Sequence, residues 1–285
     1  MANEVAKTAP GGTHETQTTY AKEVVALARL ECNIYNDFRE DGVKNDATGL
    51  VKIPTRNAEV KVSSYDVKAG IELTQSATEY IDMPMDKHYG VNELIDGYEA
   101  EAVPDDLVAQ RLESAGESLG RKHEEDAIAV LKDEGTTSAD TTAITKANAY
   151  ELIAKEVKNM KARGMKVAAM RIAISADVEL ALFTDDKFAN TAGTLGETLV
   201  REGVIGKING VAVKPNYLMG DDVDFIIYDT RFTQKHEAWE VEPKINPLAD
   251  GKHIGSSALQ GRSVGGLKVT NALGVQVKLN ATTTE

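Results

Sequence analysis

The sequence predicts an α+β fold, with strands and helices in separate runs and no repeating βαβ units. Three observations carry that expectation. Apolar and polar residues alternate over 50–53, 58–62 and 70–74, the period-2 pattern of half-buried strands. Between 104 and 134, apolar residues recur every three or four positions, as on one face of a long helix. Beyond 145, a second helical run is followed by short strand-like runs and a hairpin built on Asn209 and Gly210.

The elements follow in order. Residues 1–18 are small, polar and Thr-rich, an arm with no core of its own. Tyr20, Val24, Leu27 and Leu30 advance by helical spacing, which marks a short amphipathic helix before a loop at Asn45, Asp46 and Gly49. The alternating strands that follow carry many charges and few large apolar groups. A hairpin of that composition cannot bury both faces within its own subunit, so it is expected to project and pack on something outside its domain.

The helix of 104–134 has proline at a first-turn position (Pro104), Asp105 and Asp106 where the helix dipole favours negative charge, and Gly135 as a stop. Val108, Leu112, Ala115, Leu119, Ala127 and Val130 form its apolar stripe. Gly116 and Gly120 are costly inside a helix, about 1 kcal/mol each, and their shared face points to a close backbone contact. A Thr-rich loop over 136–145 leads to a helix over 146–163, ended by Gly164. Residues 170–174 read as a buried strand, and Ser175 as the cap of a short helix through Phe183. In 203–213, β-branched runs flank Asn209-Gly210, the preferred type I′ turn. Residues 224–228 are another buried strand. The runs at 236–248 and 262–279 are strand-like, interrupted by Pro243, Pro247, Gly265 and Gly266.

Composition excludes several classes of function. The chain has 285 residues, enough for one large or two modest domains without a disulfide or metal staple. Lys and Arg number 32 against 45 Asp and Glu, a net charge of 32 − 45 = −13. That balance opposes both an electrostatic nucleic-acid binder and docking on an anionic membrane. The charge is uneven: residues 251–285 hold four basic and one acidic residue, 4 − 1 = +3, leaving −16 on the rest. Cys32 stands alone, so it is read as a small buried hydrophobe, with no intrachain disulfide and no thiolate metal site. The polar N-terminus lacks the basic and apolar regions of a secretory signal, and no apolar run is long enough to span a membrane. These features place the chain in a cytoplasm.

Little in the sequence carries chemistry. There is no phosphate-binding loop, and Gly203 and Gly206 lack the third glycine of a dinucleotide fingerprint. There is no nucleophile elbow; Gly261 and Gly265 flank a serine at the wrong spacing. The five histidines, at 14, 88, 123, 236 and 253, show no metal-binding spacing. Asp185 with Asp186, and Asp221 with Asp222 and Asp224, read as solvated turns more readily than as a hard-cation site. His123, Glu124, Glu125 and Asp126 read as a solvated or inter-subunit charged face, because adjacent helical residues do not face one another. No catalytic, cofactor or metal residue is therefore assigned, and the protein is not read as an enzyme.

The order of elements resembles that of the major capsid proteins of tailed double-stranded DNA bacteriophages, whose shared fold is named after phage Hong Kong ninety-seven. Residues 50–54, Tyr65, Asp66, Gly70 and Ile71 resemble the family's extended-loop (E-loop) hairpin. Residues 80–91 resemble the strand re-entering the peripheral (P) domain, and the 104–134 helix its spine helix. Residues 171–175, 182–188 and 203–213 resemble the axial (A) domain, with the last the most family-like phrase. The resemblance implies an N-terminal arm over 1–47, an E-loop over 48–83, a P domain over 84–144, an A domain over 145–240, and return strands to the P domain over 241–285. It also implies hexamers and pentamers closing an icosahedral shell in the virion, assembled in the host bacterial cytoplasm, around double-stranded DNA held without sequence-specific binding. A portal is an implied partner, and a separate scaffolding protein or none is expected, since no long charged helical segment precedes the hairpin; no membrane is implied.

On that reading, Arg56, Lys61, Lys68 and Glu72 on the hairpin are candidates for inter-subunit charge pairs, against the alternative of solvated strand charges worth little each. Glu117, Arg121 and Glu124 on the long helix are weaker candidates. Some members of the family join subunits by Lys–Asn isopeptide bonds. Lys52, Lys61 and Lys68 stand in the corresponding region, but no partner Asn or catalytic carboxylate is assignable, so the chain is expected not to be crosslinked. An encapsulin-type nanocompartment shell has the same fold and is the alternative reading; a soluble α+β enzyme is the alternative from another class.

Overall fold

The computed structural model describes residues 33–41, 43–45, 50–55, 64–68, 70, 79–97, 107–185, 205–248 and 251–281. The arm's first residues, its amphipathic helix and Cys32 lie outside them.

Among the described residues the strands form three sheets. The largest is a six-stranded mixed sheet of β5 (Thr136–Thr137), β12 (Val275–Leu279), β9 (Val223–Asp229), β6 (Met170–Ile174), β8 (Val211–Pro215) and β7 (Gly206–Ile208), in that spatial order. Strand β9 is buried along its whole length, which requires apolar side chains on both faces. Ile226 and Tyr228 join one core with Val275 and Val277 from β12 and with Ala127, Ile128 and Leu131 from helix α1 (Leu107–Glu134). Phe225 and Ile227 join a second core, closed by Ile153, Val157 and Met160 of α2 (Ala149–Ala162) and by Val178 and Leu182 of α3 (Ala176–Phe183). The result is a helix–sheet–helix sandwich.

Helix α1 has 28 described residues, roughly 42 Å at 1.5 Å per residue; the expected first-turn residues 104–106 lie outside the described set. Gly116 and Gly120 are both buried, on a helix that packs against β11 (Ser257–Val269). At its far end Glu134 accepts hydrogen bonds from Lys268 Nζ (2.5 Å) and the Val269 backbone N–H (2.7 Å).

Helix α2 begins at Ala149, three residues later than 146. The Asn148 side chain accepts the Thr145 N–H at 2.7 Å and donates to the Ala143 carbonyl at 3.0 Å, which fixes the chain in a turn before the helix can start. Gly164 follows its last turn at φ +87, as expected. Ser175 holds the N-cap position of α3 but its side chain makes no capping hydrogen bond. Asn209 and Gly210 take φ of 51 and 85, the left-handed pair of a type I′ turn.

A second sheet is made of β10 (Thr233–Pro247), β11 and β4 (Lys87–Ile95), all antiparallel. The expected interruptions do not break it. Strand β10 passes Pro243 through a register shift between Val241 and Lys244, where an imide nitrogen has no ladder bond to make. Strand β11 runs through Gly265 and Gly266 because the chain crossing it needs the space: a Cβ on Gly266 would overlap the Pro84 carbonyl and the Met85 methyl. Residues 262–279 are thus two strands, parted by a tight turn at Ala272–Gly274.

The third sheet is the hairpin base, in the order β1 (Val43–Asn45), β2 (Leu50–Thr55), β3 (Glu79–Pro84). Asn45, expected in a loop, ends β1, and Thr136 and Thr137 pair in parallel with β12 where a loop was expected. Val51, Ile53 and Met83 form a small core of their own beside Met85. The alternating run at 58–62 and most of that at 70–74 fall outside the described residues.

Candidate assembly surfaces

The hairpin buries one face at its base and exposes its described turn. There Asp66 accepts the Lys68 N–H on its carboxylate at 2.7 Å and the Gly70 N–H on its carbonyl at 2.8 Å. Gly70 sits at φ +74, a conformation that favours glycine. The closed turn presents two apolar side chains to solvent, Tyr65 at 71% exposure and Val67 at 89%. Lys68 is exposed beside them. Arg56, Lys61 and Glu72 lie outside the described residues. Lys52 is exposed on β2.

On α1, Glu117 and Arg121 are exposed. Glu124 is not, and this corrects the expectation of a charged face turned to solvent or to a neighbour. It is 1% exposed and occupied within its own chain. One carboxylate oxygen accepts the Ile34 N–H at 2.7 Å and the Asn216 side-chain amide at 2.5 Å, and the other accepts the Tyr35 N–H at 2.9 Å. Burial pushes the Glu124 carboxyl up from its ordinary value, and these hydrogen bonds pull it back. Asp126 is also buried and accepts the Tyr89 hydroxyl. His123 stacks on Tyr35 with ring centroids 4.8 Å apart. Of the four residues 123–126 only Glu125 stays exposed. The reason is a stretch of chain, 33–41, that lies across the helix face the sequence left polar.

That stretch is tied to four elements. Ile34, Tyr35 and Phe38 enter the core beneath α1. Lys235 on β10 donates to the Tyr35 carbonyl at 3.1 Å, and its ammonium sits 4.2 Å from the Tyr35 ring centre. The Tyr35 hydroxyl donates to Glu237 at 3.0 Å. Asp37 pairs with Lys214 of β8 at 3.1 Å and accepts the Tyr228 hydroxyl of β9 at 2.7 Å. Arg39 then adds one backbone bridge to the outer edge of β10, donating to the Thr233 carbonyl and accepting the Lys235 N–H. Sequence reasoning missed this anchor. Its signal was the apolar set Ile34, Tyr35 and Phe38 in an otherwise polar stretch.

A second set of exposed apolar groups lies on α3 and the β8–β9 connection: Leu180 at 67%, Phe183 at 53% and Tyr217 at 70%. The Tyr217 hydroxyl donates to Glu179 at 2.9 Å. The acidic turns divide. Asp221 is solvated as expected, Asp222 takes an ion pair from Lys132, and Asp185 and Asp224 are buried, which corrects their reading as solvated turns. Among the described residues no group of three or more His, Cys, Asp or Glu is placed to hold a metal ion, and no helix is long and apolar enough to cross a membrane.

No protein-family model and no curated protein matches the chain. Solved structures do. A chain from Mycobacterium phage Che8 aligns with a TM-score of 0.63 at 19% identity, over 86% of this chain and 93% of that one. The capsid of cyanophage P-SCSP1u aligns at TM-score 0.66 and 11% identity, over 86% of each chain. The capsid of a native GTA particle aligns at 0.59 and 11%, over 88% of this chain and 90% of that one. The fold is therefore a viral shell-protein fold. In particular, it is the α+β fold of phage major capsid proteins, the Hong Kong ninety-seven type.

Proposed function

We propose that the chain is the major capsid protein of a tailed double-stranded DNA bacteriophage, a structural protein of the virion. The observation that supports this most is near-complete structural coverage, by this chain, of capsid subunits such as that of cyanophage P-SCSP1u. Below 20% identity it is the architecture that carries the likeness. The exposed hairpin turn agrees with it, since apolar groups at 71% and 89% exposure are in place before any neighbour arrives.

On this reading the domain divisions follow the family: arm (1–47), E-loop (48–83), P domain around α1 (84–144), A domain (145–240) and return strands (241–285), with β5 and β12 of the six-stranded sheet supplied by the divisions flanking the A domain. The subunits close into hexamers and pentamers around packaged DNA, with a portal and a separate scaffolding protein as partners. Lys68, Glu117 and Arg121, which the fold leaves exposed, and Arg56, Lys61 and Glu72 remain the contact candidates; Glu124 is withdrawn. Catalysis has no part in this role.

Negative-stain microscopy of the purified full-length chain tests the reading. Rings, sheets or closed shells are expected, and a small globular species at every concentration would sink it. Nuclease-protected DNA in particles from infected cells separates a virion from an enzyme-filled compartment. Particles boiled in denaturant are expected to run as a single band near 30.7 kDa, with no ladder of covalent oligomers.

A further inference from the structure

The six-stranded sheet has two ends of opposite charge. Strands β6 and β8 run parallel, so the segments leading into them gather at one end and those leaving them at the other. The leading end is closed by the last turn of α2, the turn before β6 and the β7–β8 hairpin turn; Lys161 Nζ donates to the Asn209 carbonyl at 2.7 Å across them. Segments 161–171 and 205–213 carry Lys161, Arg163, Lys166, Arg171 and Lys207, and no carboxylate. The leaving end is built from the start of α3 and the β8–β9 connection, joined by backbone hydrogen bonds from Ser175 N to the Asp224 carbonyl and from Asn216 N to the Ile174 carbonyl. Segments 175–185 and 215–224 carry Asp177, Glu179, Asp185, Asp221, Asp222 and Asp224, and no Lys or Arg.

Neighbours cancel these charges only in part, Lys278 lying close enough to the buried Asp224 to act on its carboxyl. Lys132 pairs with Asp222, but Asp177, Glu179 and Asp221 make no ion pair among the described residues, and neither do Lys166 and Lys207. Strand β6 has five residues, which puts the ends roughly 15 Å apart at about 3.3 Å per residue. That exceeds the screening length of about 8 Å at physiological ionic strength, so each end presents its own sign to an approaching surface. The acidic end also bears the exposed Leu180, Phe183 and Tyr217, apolar area that a partner would cover.

We propose that the acidic, apolar end of one subunit docks on the basic end of the next copy of this chain, head to tail. Two different but complementary patches on one molecule form a heterologous contact, and such contacts generate rings when the rotation closes. The occupant is a second copy because the complement is found on the chain itself. A subunit with a net charge of −13 repels its own kind overall, and a local basic end supplies the attraction and the register that closure needs. The inference rests on the shell-protein reading and specifies which faces meet within a ring.

Charge reversal of the full-length chain tests it, with sedimentation and negative-stain microscopy as readouts. One variant reverses the basic end (Lys166→Glu with Lys207→Glu), one the acidic end (Asp177→Lys with Asp221→Lys), and one both. These four side chains hold no ion pair among the described residues, so the variants are expected to fold, with thermal melts of the subunit close to the parent's. Each single-ended variant is expected to yield at least tenfold fewer rings and shells. The doubly reversed chain, complementary again, is expected to regain most of the yield, and an equimolar mixture of the two single-ended variants to regain even-membered rings, because alternating copies meet with opposite charge at every contact. Wild-type shells alongside indifferent single-ended variants, or a doubly reversed chain no better than either, would overturn this inference alone. Shells of the basic-end variant that form normally but lose DNA would also overturn it, by assigning that end to nucleic acid. A wild-type chain that never associates would overturn the shell reading with it.

Discussion

Glu124 and Ile34 stand 90 residues apart in sequence and 2.7 Å apart in the fold, carboxylate oxygen to backbone nitrogen. The same carboxylate takes the Tyr35 N–H and the Asn216 amide. One side chain of the long helix therefore supplies acceptors that let the chain at 33–41 enter the core. A buried N–H with no acceptor costs about 1–3 kcal/mol.

Glu124→Ala is expected to cost the subunit about 3 kcal/mol, because it strands two buried N–H groups. Urea unfolding of the unassembled chain checks this through a lower midpoint at similar slope. Glu124→Gln keeps one acceptor oxygen and is expected to cost less than half as much. A loss below about 1 kcal/mol for Glu124→Ala would mean that the carboxylate's hydrogen bonds contribute little.

His123, buried with a lowered pKa, is expected to make the subunit acid-sensitive. Burial lowers its pKa and Lys235 acts the same way, while Glu237 and Asp126 oppose them. A histidine with a depressed folded pKa binds fewer protons folded than unfolded. Its contribution is complete above the unfolded value of about 6.5 and is lost as pH falls through that value toward the folded one. Glu124, raised by burial, acts with the opposite sign and only from about 4.3 upward. Wild type is therefore expected to lose more stability between roughly pH 7.5 and pH 5.5 than His123→Phe, which keeps the stack on Tyr35 and cannot be protonated. Parallel stability–pH curves for the two chains would refute this.

Gly266→Ala is expected to destabilise by about 2 kcal/mol or more, since the added methyl meets the Pro84 carbonyl and backbone must move. Gly70→Ala, at φ +74 in open space, is expected to cost only about 1 kcal/mol of backbone strain. The pair separates crowding from strain, and thermal melts of both variants supply the comparison.

Tyr65→Ser with Val67→Ser is expected to change subunit stability by no more than about 0.5 kcal/mol, because both side chains face solvent. Assembly is the expected casualty. Shells formed at the parent's yield would show that the hairpin turn is not a contact.

Much of the fold was legible in local pattern. The long helix, the strands at 170–174 and 224–228, and the Asn209-Gly210 turn are each set by spacing or by a residue's backbone preference within a few positions. The hairpin's poor apolar content agrees with the exposure of Tyr65 and Val67 at its described turn. The contact candidates fared differently. Glu124 was grouped with Glu117 and Arg121 as part of one charged helix face, because a helical pattern reports periodicity and not what lies across it.

What the sequence determined by itself was the order and type of elements, the acidity, and the resemblance in which a shell protein is foreseen. Only tertiary structure decided that residues 33–41 cover the charged face of α1, that Gly265 and Gly266 continue a strand, and that basic and acidic segments collect at opposite ends of one sheet. Those outcomes depend on contacts between residues tens to hundreds of positions apart. A local pattern cannot specify them, because the free energy of burying a carboxylate or admitting a crossing chain exists only once the partner is in place.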